Sequence, residues 1–260
     1  MRRLIIEEPI SRAALWSRQI AWFALAVTLI SVAVLRFGVV DLVPGFVALA
    51  TGLGLAGLAI ALALGAFLRI WTEGRRGVGA AVGGVLLAGL ILALPAFYGL
   101  RGLLLPAITD VTTDVAEPPT FSRSRQAFAA RDGHVPPEQP PEARVKQQEA
   151  YPQIAPLSLD LPAEQAFALA REAALKRGWQ IVEEVKPGGR MGVGRIEAID
   201  RSFLMRLPHD VTVRIRPRAD GSRIDVRAAS RVGWHDLGSN ARRVRRYLDE
   251  VSELAIAAPE

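Results

Sequence analysis

The chain has 260 residues, half of them hydrophobic, and carries a formal net charge of +6. A soluble globular chain seldom averages so apolar, so part of this one is expected in lipid. With no cysteine at all, a disulfide framework, a zinc-thiolate site and a thiol nucleophile are excluded.

The charge is spread unevenly. Residues 1–100 hold 8 Lys+Arg against 4 Asp+Glu, and residues 101–260 hold 24 against 22. The second part is therefore close to neutral, and no nucleic-acid partner is expected. Arginine outnumbers lysine 29 to 3, which together with abundant Ala and Gly suggests a GC-rich bacterial genome.

Three apolar runs come first, at about Trp16–Leu35, Leu42–Leu68 and Val78–Leu100. Each reaches the roughly 20 residues that a helix needs to cross a hydrocarbon core. Arg36 and Asp41 stand where a signal peptide would need small residues for cleavage. Arg2, Arg3 and Arg12 precede the first run, Arg18 and Gln19 interrupt it near its start, and Arg69, Arg75 and Arg76 lie between the second and third. Basic residues stay on the cytoplasmic side. The expected arrangement is a multi-pass inner (plasma) membrane protein, with a cytoplasmic N-terminus and everything after Arg101 extracytoplasmic. Gly52, Ala56, Gly57, Ala61 and Gly65 in the second run, with Gly79, Gly83 and Gly84 in the third, would let helices approach closely. That fits a compact three-helix hairpin, self-association or a membrane-protein partner. No charge lies mid-span, so residues 1–105 read as an anchor in the bilayer rather than an ion pathway. Pro44 and Pro95 are expected near span ends.

Residues 106–153 read as a Pro-rich linker, broken by Pro118, Pro119, Pro136, Pro137, Pro140, Pro141 and Pro152, with a short helix near Gln126–Arg131. His134 reads there as a solvated side chain.

Residues 154–260 read as one soluble α+β domain. A strand at Leu157–Leu161 leads into a helix that starts at Pro162, carries the stripe Ala166, Phe167, Ala170, Ala173 and Ala174, and ends at Gly178. Strands follow at Trp179–Val185 and, after a turn at Pro187-Gly188-Gly189, at Met191–Asp200. Val211, Val213 and Ile215 alternate with polar residues, as do Ile224, Val226 and Ala228, around Asp220-Gly221, which signals a hairpin. A two-residue turn there sets Arg216 opposite Asp225, and a four-residue loop sets Arg214 opposite it. Either register leaves an exposed Arg–Asp ladder on one face. A helix over Leu237–Ile256 closes the domain. The order β-α-β4-α predicts an antiparallel sheet with both helices on one face, similar in layout to the TATA-binding-protein-like fold.

Between the last strand and the last helix stand Arg227, Ser230, Arg231, Gly233, Asp236, Leu237, Gly238, Asn240 and Arg243. This run, with Thr109–Asp114, Pro118-Pro119, Tyr151-Pro152, Gly178-Trp179, Glu197-Ala198 and Asp210-Val211, resembles the DUF1499 family over roughly residues 107–256. Where members often carry an Asp-Asp pair, this chain has His209-Asp210. The resemblance implies fold and neighbourhood and brings no substrate.

Three readings of the segment stand open. In one, Arg231 pairs with Asp210 or Asp236 and the motif is a clasp that locks the last helix to the sheet. In another, Arg227, Ser230, Arg231, Asp236, Asn240 and Arg243, with Arg242, surround an anion or headgroup at the helix N-terminus, whose cap is Asp236 or Ser239. In the third, Ser230, His235 and Asp236 supply acyl-transfer chemistry, against which the adjacency of His235 and Asp236 tells. His134, His209 and His235 lack ligand spacing, so neither metal nor cofactor is expected. The preferred expectation is a membrane-anchored extracytoplasmic binding or scaffold domain without enzymatic activity. The alternative is an envelope enzyme or lipid-handling module that recognises an anionic headgroup or phosphate near the Ser230–Asn240 loop.

Overall fold

The computed structural model describes residues 9–188 and 192–257. The chain divides into two compact units, one over residues 1–100 with 204–206, the other over 101–203 and 207–260.

Three helices dominate the first unit: α1 (Arg12–Phe37), α2 (Leu42–Glu73) and α3 (Val78–Leu104). All three are long and apolar enough to cross a membrane. Their seams are made of small residues: Ala21 and Ala24 of α1, Ala56 and Ala59 of α2, and Ala88 of α3 are fully buried together. A side chain at Gly52 would collide with Thr28, and one at Gly84 with Ser17, so backbone approach is what these glycines provide. The seam of α2 runs through Gly52, Ala56, Ala59, Ala63 and Ala66. Gly57 and Ala61, expected on the same face, are exposed. The large side chains Trp22, Phe23, Leu29 and Leu90 turn outward, as lipid-facing residues do and a water-facing bundle would not. Pro44 sits in the first turn of α2, as expected. Pro95 does not end α3, which continues nine residues beyond it to Leu104.

Among the described residues the second unit holds an antiparallel sheet of six strands: β1 (Asp110–Thr112), β2 (Leu157–Leu159), β3 (Gln180–Val185), β4 (Gly194–Arg201), β5 (Pro208–Arg218) and β6 (Gly221–Ser230). Its order is β1-β6-β5-β4-β3, with β2 also pairing β6. β1 lies along Arg227–Ala229 of β6 and β2 along Ser222–Ile224, so two short strands share one edge. α6 (Ala163–Lys176) and α7 (Ser239–Ala257) pack on one face. There Phe167 and Ala170 of α6, with Val244, Tyr247 and Val251 of α7, join Ile196, Val211, Val213, Ile224 and Val226 in one core. Trp179 stacks on Tyr247 at 4.6 Å, and the Tyr247 hydroxyl donates to the Ala170 carbonyl, satisfying the one polar atom of a buried ring. The strand expected from Met191 begins at Gly194 in the structure; Gly189 and Met191 lie outside the described residues.

The hairpin adopts the register Arg214 opposite Asp225, yet pairing runs on to Arg218 opposite Gly221, leaving Ala219 and Asp220 at the tip. Gly221 therefore belongs to β6, at φ +135°, and a Cβ there would overlap the Leu159 carbonyl oxygen of β2. Gly221→Ala is expected to cost at least about 1–3 kcal/mol, and its effect should appear as a lower denaturation midpoint of the full chain.

Two expectations change in this unit. Residues 106–153 do not form a tether among the described residues. They supply β1, the short helix α4 (Arg125–Ala130) close to its expected place, and a further helix α5 (Pro141–Ala150). Pro140 and Pro141 begin α5 rather than break it, because a proline in the first turn has no intrahelical N–H to lose. Gln147 of α5 then pairs both backbone groups of Thr112, accepting from its N–H at 3.0 Å and donating to its carbonyl at 2.6 Å. That side chain closes the edge of β1 as another strand would.

The Arg–Asp ladder, second, is not an open face. Asp114, just after β1, lies over it and accepts from Arg214, Arg216 and Arg223 at 3.2, 2.9 and 2.7 Å. Burial pulls Asp114 upward, but the Glu117 N–H and the three guanidiniums win and hold its carboxyl below the ordinary range. The sheet is thus covered on both faces, by α6 and α7 on one and by residues 113–139 on the other.

Candidate functional site

The residues singled out by the motif fall on two sides of the sheet. Strand alternation sends His209 and Ser230 to the helix face, and sends Asp210 and Arg227 to the face covered by residues 113–139.

On the helix face, Ser230 Oγ accepts the Asn240 amide at 2.9 Å and lies 3.1 Å from His209 Nδ1. Asn240 also donates to the Thr109 carbonyl, and its own carbonyl accepts from Arg243. Arg243 is paired with Asp200 of β4 at 2.6 Å. Asp236 accepts the N–H of Gly238 at 2.9 Å and of Asn240 at 2.8 Å, so of the two candidate caps Asp236 is the side chain that holds the start of α7. Burial pushes the Asp236 carboxyl up, against those two N–H donors. Leu237 takes φ +52°, bringing the chain from this cap into the helix.

Triad chemistry does not assemble here. His235 points elsewhere: its Nδ1 accepts from the Leu237 N–H, so its Nε2 carries the proton and donates toward the carbonyls of Gly102 at 3.1 Å and Leu105 at 3.2 Å. It thereby ties the motif loop to the last turn of α3. The histidine beside Ser230 is His209, which burial and the neighbouring Arg243 and Arg231 guanidiniums bring down to about 3. A base so weak, flanked by cations where a triad needs a carboxylate, does not activate a hydroxyl at neutral pH.

On the opposite face stands a buried ionic network. Arg131, at the end of α4, is fully buried, as are Glu197 of β4 and Asp210 of β5. Arg131 is ion-paired with Glu197, and its Nε lies 3.3 Å from Asp210. Glu197 accepts in addition from the Ser122 N–H and the Thr212 hydroxyl, both at 3.0 Å. Burial pushes its carboxyl up against these donors. Arg231 grips Asp210 with two parallel hydrogen bonds, at 2.9 and 2.8 Å, the fork geometry that only arginine offers. Arg227 makes the same kind of contact with Asp110 of β1, and donates to the Pro119 and Pro137 carbonyls. Burial pushes Asp110 up, with Arg227 opposing. The guanidiniums of Arg131 and Arg227 both lie over the Phe121 ring, at 5.2 and 4.9 Å.

All six motif residues, Arg227, Ser230, Arg231, Asp236, Asn240 and Arg243, are therefore bonded within the unit. Arg231 takes Asp210 as its partner, one of the two expected options. Asp210 and His209 face opposite sides of β5, so the familial Asp-Asp pair would not place two carboxylates in one site. The residues missed by sequence reasoning are Arg131, Glu197, Asp110 and Phe121. In the sequence Glu197 stands only as part of the matching pair Glu197-Ala198, and Asp110 only within the Thr109–Asp114 run. The signal that pointed to them was the start of the resemblance near residue 107, inside the stretch read as a linker. No group of His, Asp and Glu side chains that could hold a metal ion occurs among the described residues.

A family described as a protein of unknown function, DUF1499, matches residues 110–251. No curated protein matches the chain, and no solved structure does.

Proposed function

Since the chain belongs to the DUF1499 family, which brings no activity with it, we propose that it is a membrane-anchored, extracytoplasmic binding or scaffold domain in the bacterial cell envelope, whose motif is a structural clasp. The observation that carries this reading is the internal use of all six motif side chains. A ligand site would leave polar groups directed at a ligand, whereas here Arg231 and Arg227 are each spent on a buried carboxylate. The extracytoplasmic placement is supported by the arginines that flank the first span and separate the second from the third. Self-association or a membrane-protein partner through the outward small residues of α2, Gly57 and Ala61, belongs to the same proposal. So does the TATA-binding-protein-like layout, as architecture alone.

Arg231→Ala separates this reading from an envelope enzyme or lipid-handling module centred on the Ser230–Asn240 loop. The clasp predicts a loss of about 3 kcal/mol, the lower end of what removing one partner of a buried pair costs, read from the thermal midpoint of the detergent-solubilised full chain. An unchanged midpoint would remove the clasp and favour a ligand role. Placement is tested with Lys186→Cys, an exposed position in a chain that has no other cysteine. A membrane-impermeant maleimide should label it in intact spheroplasts, and labelling only after permeabilisation would reverse the orientation.

A further inference from the structure

A recess of about 200 Å³ opens in the second unit, where α3 gives way to the sheet domain. It is walled by Arg101 and Leu105, by Tyr151, and by Gly238, Arg242 and Arg245 at the start of α7. Tyr151 is only 8% exposed, and its buried hydroxyl has no hydrogen-bond partner in the protein. Phenylalanine would fill the same apolar space, so a buried phenol without a partner calls for an acceptor from outside the chain. The hydroxyl borders Gly238, at φ +69°. A Cβ on that residue would stand 3.3 Å from the Tyr151 hydroxyl, 3.5 Å from Arg242 Nη1 and 3.0 Å from Leu105. The phenol and the guanidinium thus converge on a stretch of backbone kept bare of a side chain.

The chemistry of this lining is that of a donor. Burial, and then the Asp236 carboxylate, hold the Tyr151 phenol above its ordinary value, so it keeps its proton. Asp236 itself is taken up by the Gly238 and Asn240 N–H groups. Arg242 donates to the Leu237 carbonyl at 3.4 Å, which holds its head beside the recess. Three guanidiniums, one phenol and the positive end of α7 suit a ligand that only accepts, and a phosphate is that ligand.

The place of the recess narrows the source. Val78–Leu100 is an uncharged run of 23 residues, roughly 34 Å long as a helix, and Arg101 follows it directly. If α3 crosses the bilayer, Arg101 emerges at the headgroups. Trp234 is 78% exposed and stacks edge-on with His235, the residue bonded to the carbonyls of Gly102 and Leu105. An exposed tryptophan held beside the same helix end suits the membrane–water interface.

We propose that this recess binds the phosphodiester of an anionic phospholipid, with Tyr151, Arg101, Arg242 and Arg245 as its donors. The inference rests on the membrane anchorage proposed above and is independent of the clasp. It is tested on the full chain in detergent by the thermal midpoint under titration with dioctanoyl phosphatidylglycerol, with dioctanoyl glycerol as the tail-only control and inorganic phosphate as the free-anion control. Phosphatidylglycerol should raise the midpoint saturably and dioctanoyl glycerol should not. Arg242→Gln combined with Arg245→Gln should weaken the apparent affinity about tenfold or more, and Tyr151→Phe about threefold to tenfold, each compared with its own lipid-free midpoint. Equal stabilisation by inorganic phosphate would overturn the lipid as occupant. A lipid effect that is absent, or unchanged in both variants, would overturn the site. A chain that proves soluble without detergent would instead overturn the anchorage, and the phosphate arm would still read the recess.

Discussion

Arg131→Met is expected to cost about 3–5 kcal/mol, the range seen when one partner of a buried ion pair is removed, and so to consume much of the margin by which a domain of this size stays folded. The reason is the company Arg131 keeps. It is wholly buried against Glu197, which is equally buried, and beside Asp210. Removing the cation leaves Glu197 with the Ser122 N–H and the Thr212 hydroxyl, neither of which neutralises a charge, and with the partly exposed Arg195 at 3.8 Å, beyond hydrogen-bond reach. Asp210 still has Arg231, so the loss should concentrate on Glu197. Arg131→Met combined with Glu197→Gln should therefore recover more than half of it, because the neutral amide can still accept from Ser122 and Thr212. The measurement is a urea titration of the full chain in mild detergent, followed by near-ultraviolet circular dichroism. A single variant that loses under about 1 kcal/mol, or a double variant no better than the single, would show that the pair does not hold residues 113–139 to the sheet.

His209 should make the domain lose stability as pH falls from about 6.5. Its folded value is depressed to about 3 from an ordinary 6.5, first by burial and then by Arg243, with Arg231 adding to it. A depressed value means that the folded state keeps the ring neutral while the unfolded chain takes up a proton. The associated stability is present above pH 6.5 and is lost as pH falls toward 3. Between pH 7 and pH 4 the loss is on the order of 3 kcal/mol. The raised carboxyls of Asp110, Glu197 and Asp236 act in the opposite sense, since a raised acid favours folding as pH falls through its folded value. The informative quantity is thus the difference between the chain and its His209→Gln variant across that window. The two stability curves should converge on acidification. Parallel curves would mean that His209 is not buried neutral against Ser230.

Clasp and network together account for the internal use of so conspicuous a motif. Asp236 starts α7, His235 ties the loop to the end of α3, Asn240 joins α7 to Ser230 of β6, and Arg243 joins it to Asp200 of β4. Arg231 and Arg227 lie on the other face and fasten residues 113–139 there. The loop is a junction from which four parts of the unit are held. On this account the proposed binding chemistry of the chain lies at Tyr151, Arg101, Arg242 and Arg245 rather than among the six clasp side chains.

The amino-acid sequence by itself determined the features that depend on neighbours along the chain. Three apolar runs specified three helices, because water rejects each of them whatever the others do. Alternation specified β5 and β6, Gly178 and the turn at Pro187-Gly188 set off β3 and β4, and the stripe of α6 specified which of its faces meets the sheet. Only the tertiary structure decided that residues 106–153 belong to the sheet unit and that the polar ladder is covered. The reason is physical. A three-residue strand such as β1 has too few residues to show a period, and its stability comes from β6 and from Gln147. The partners of the decisive arginines lie far off in sequence, 66 residues away for Arg131 and Glu197 and 117 for Arg227 and Asp110. Periodicity reports which side of an element avoids water. It carries no record of which distant charge will neutralise a buried one, and that pairing exists only once the chain has closed on itself.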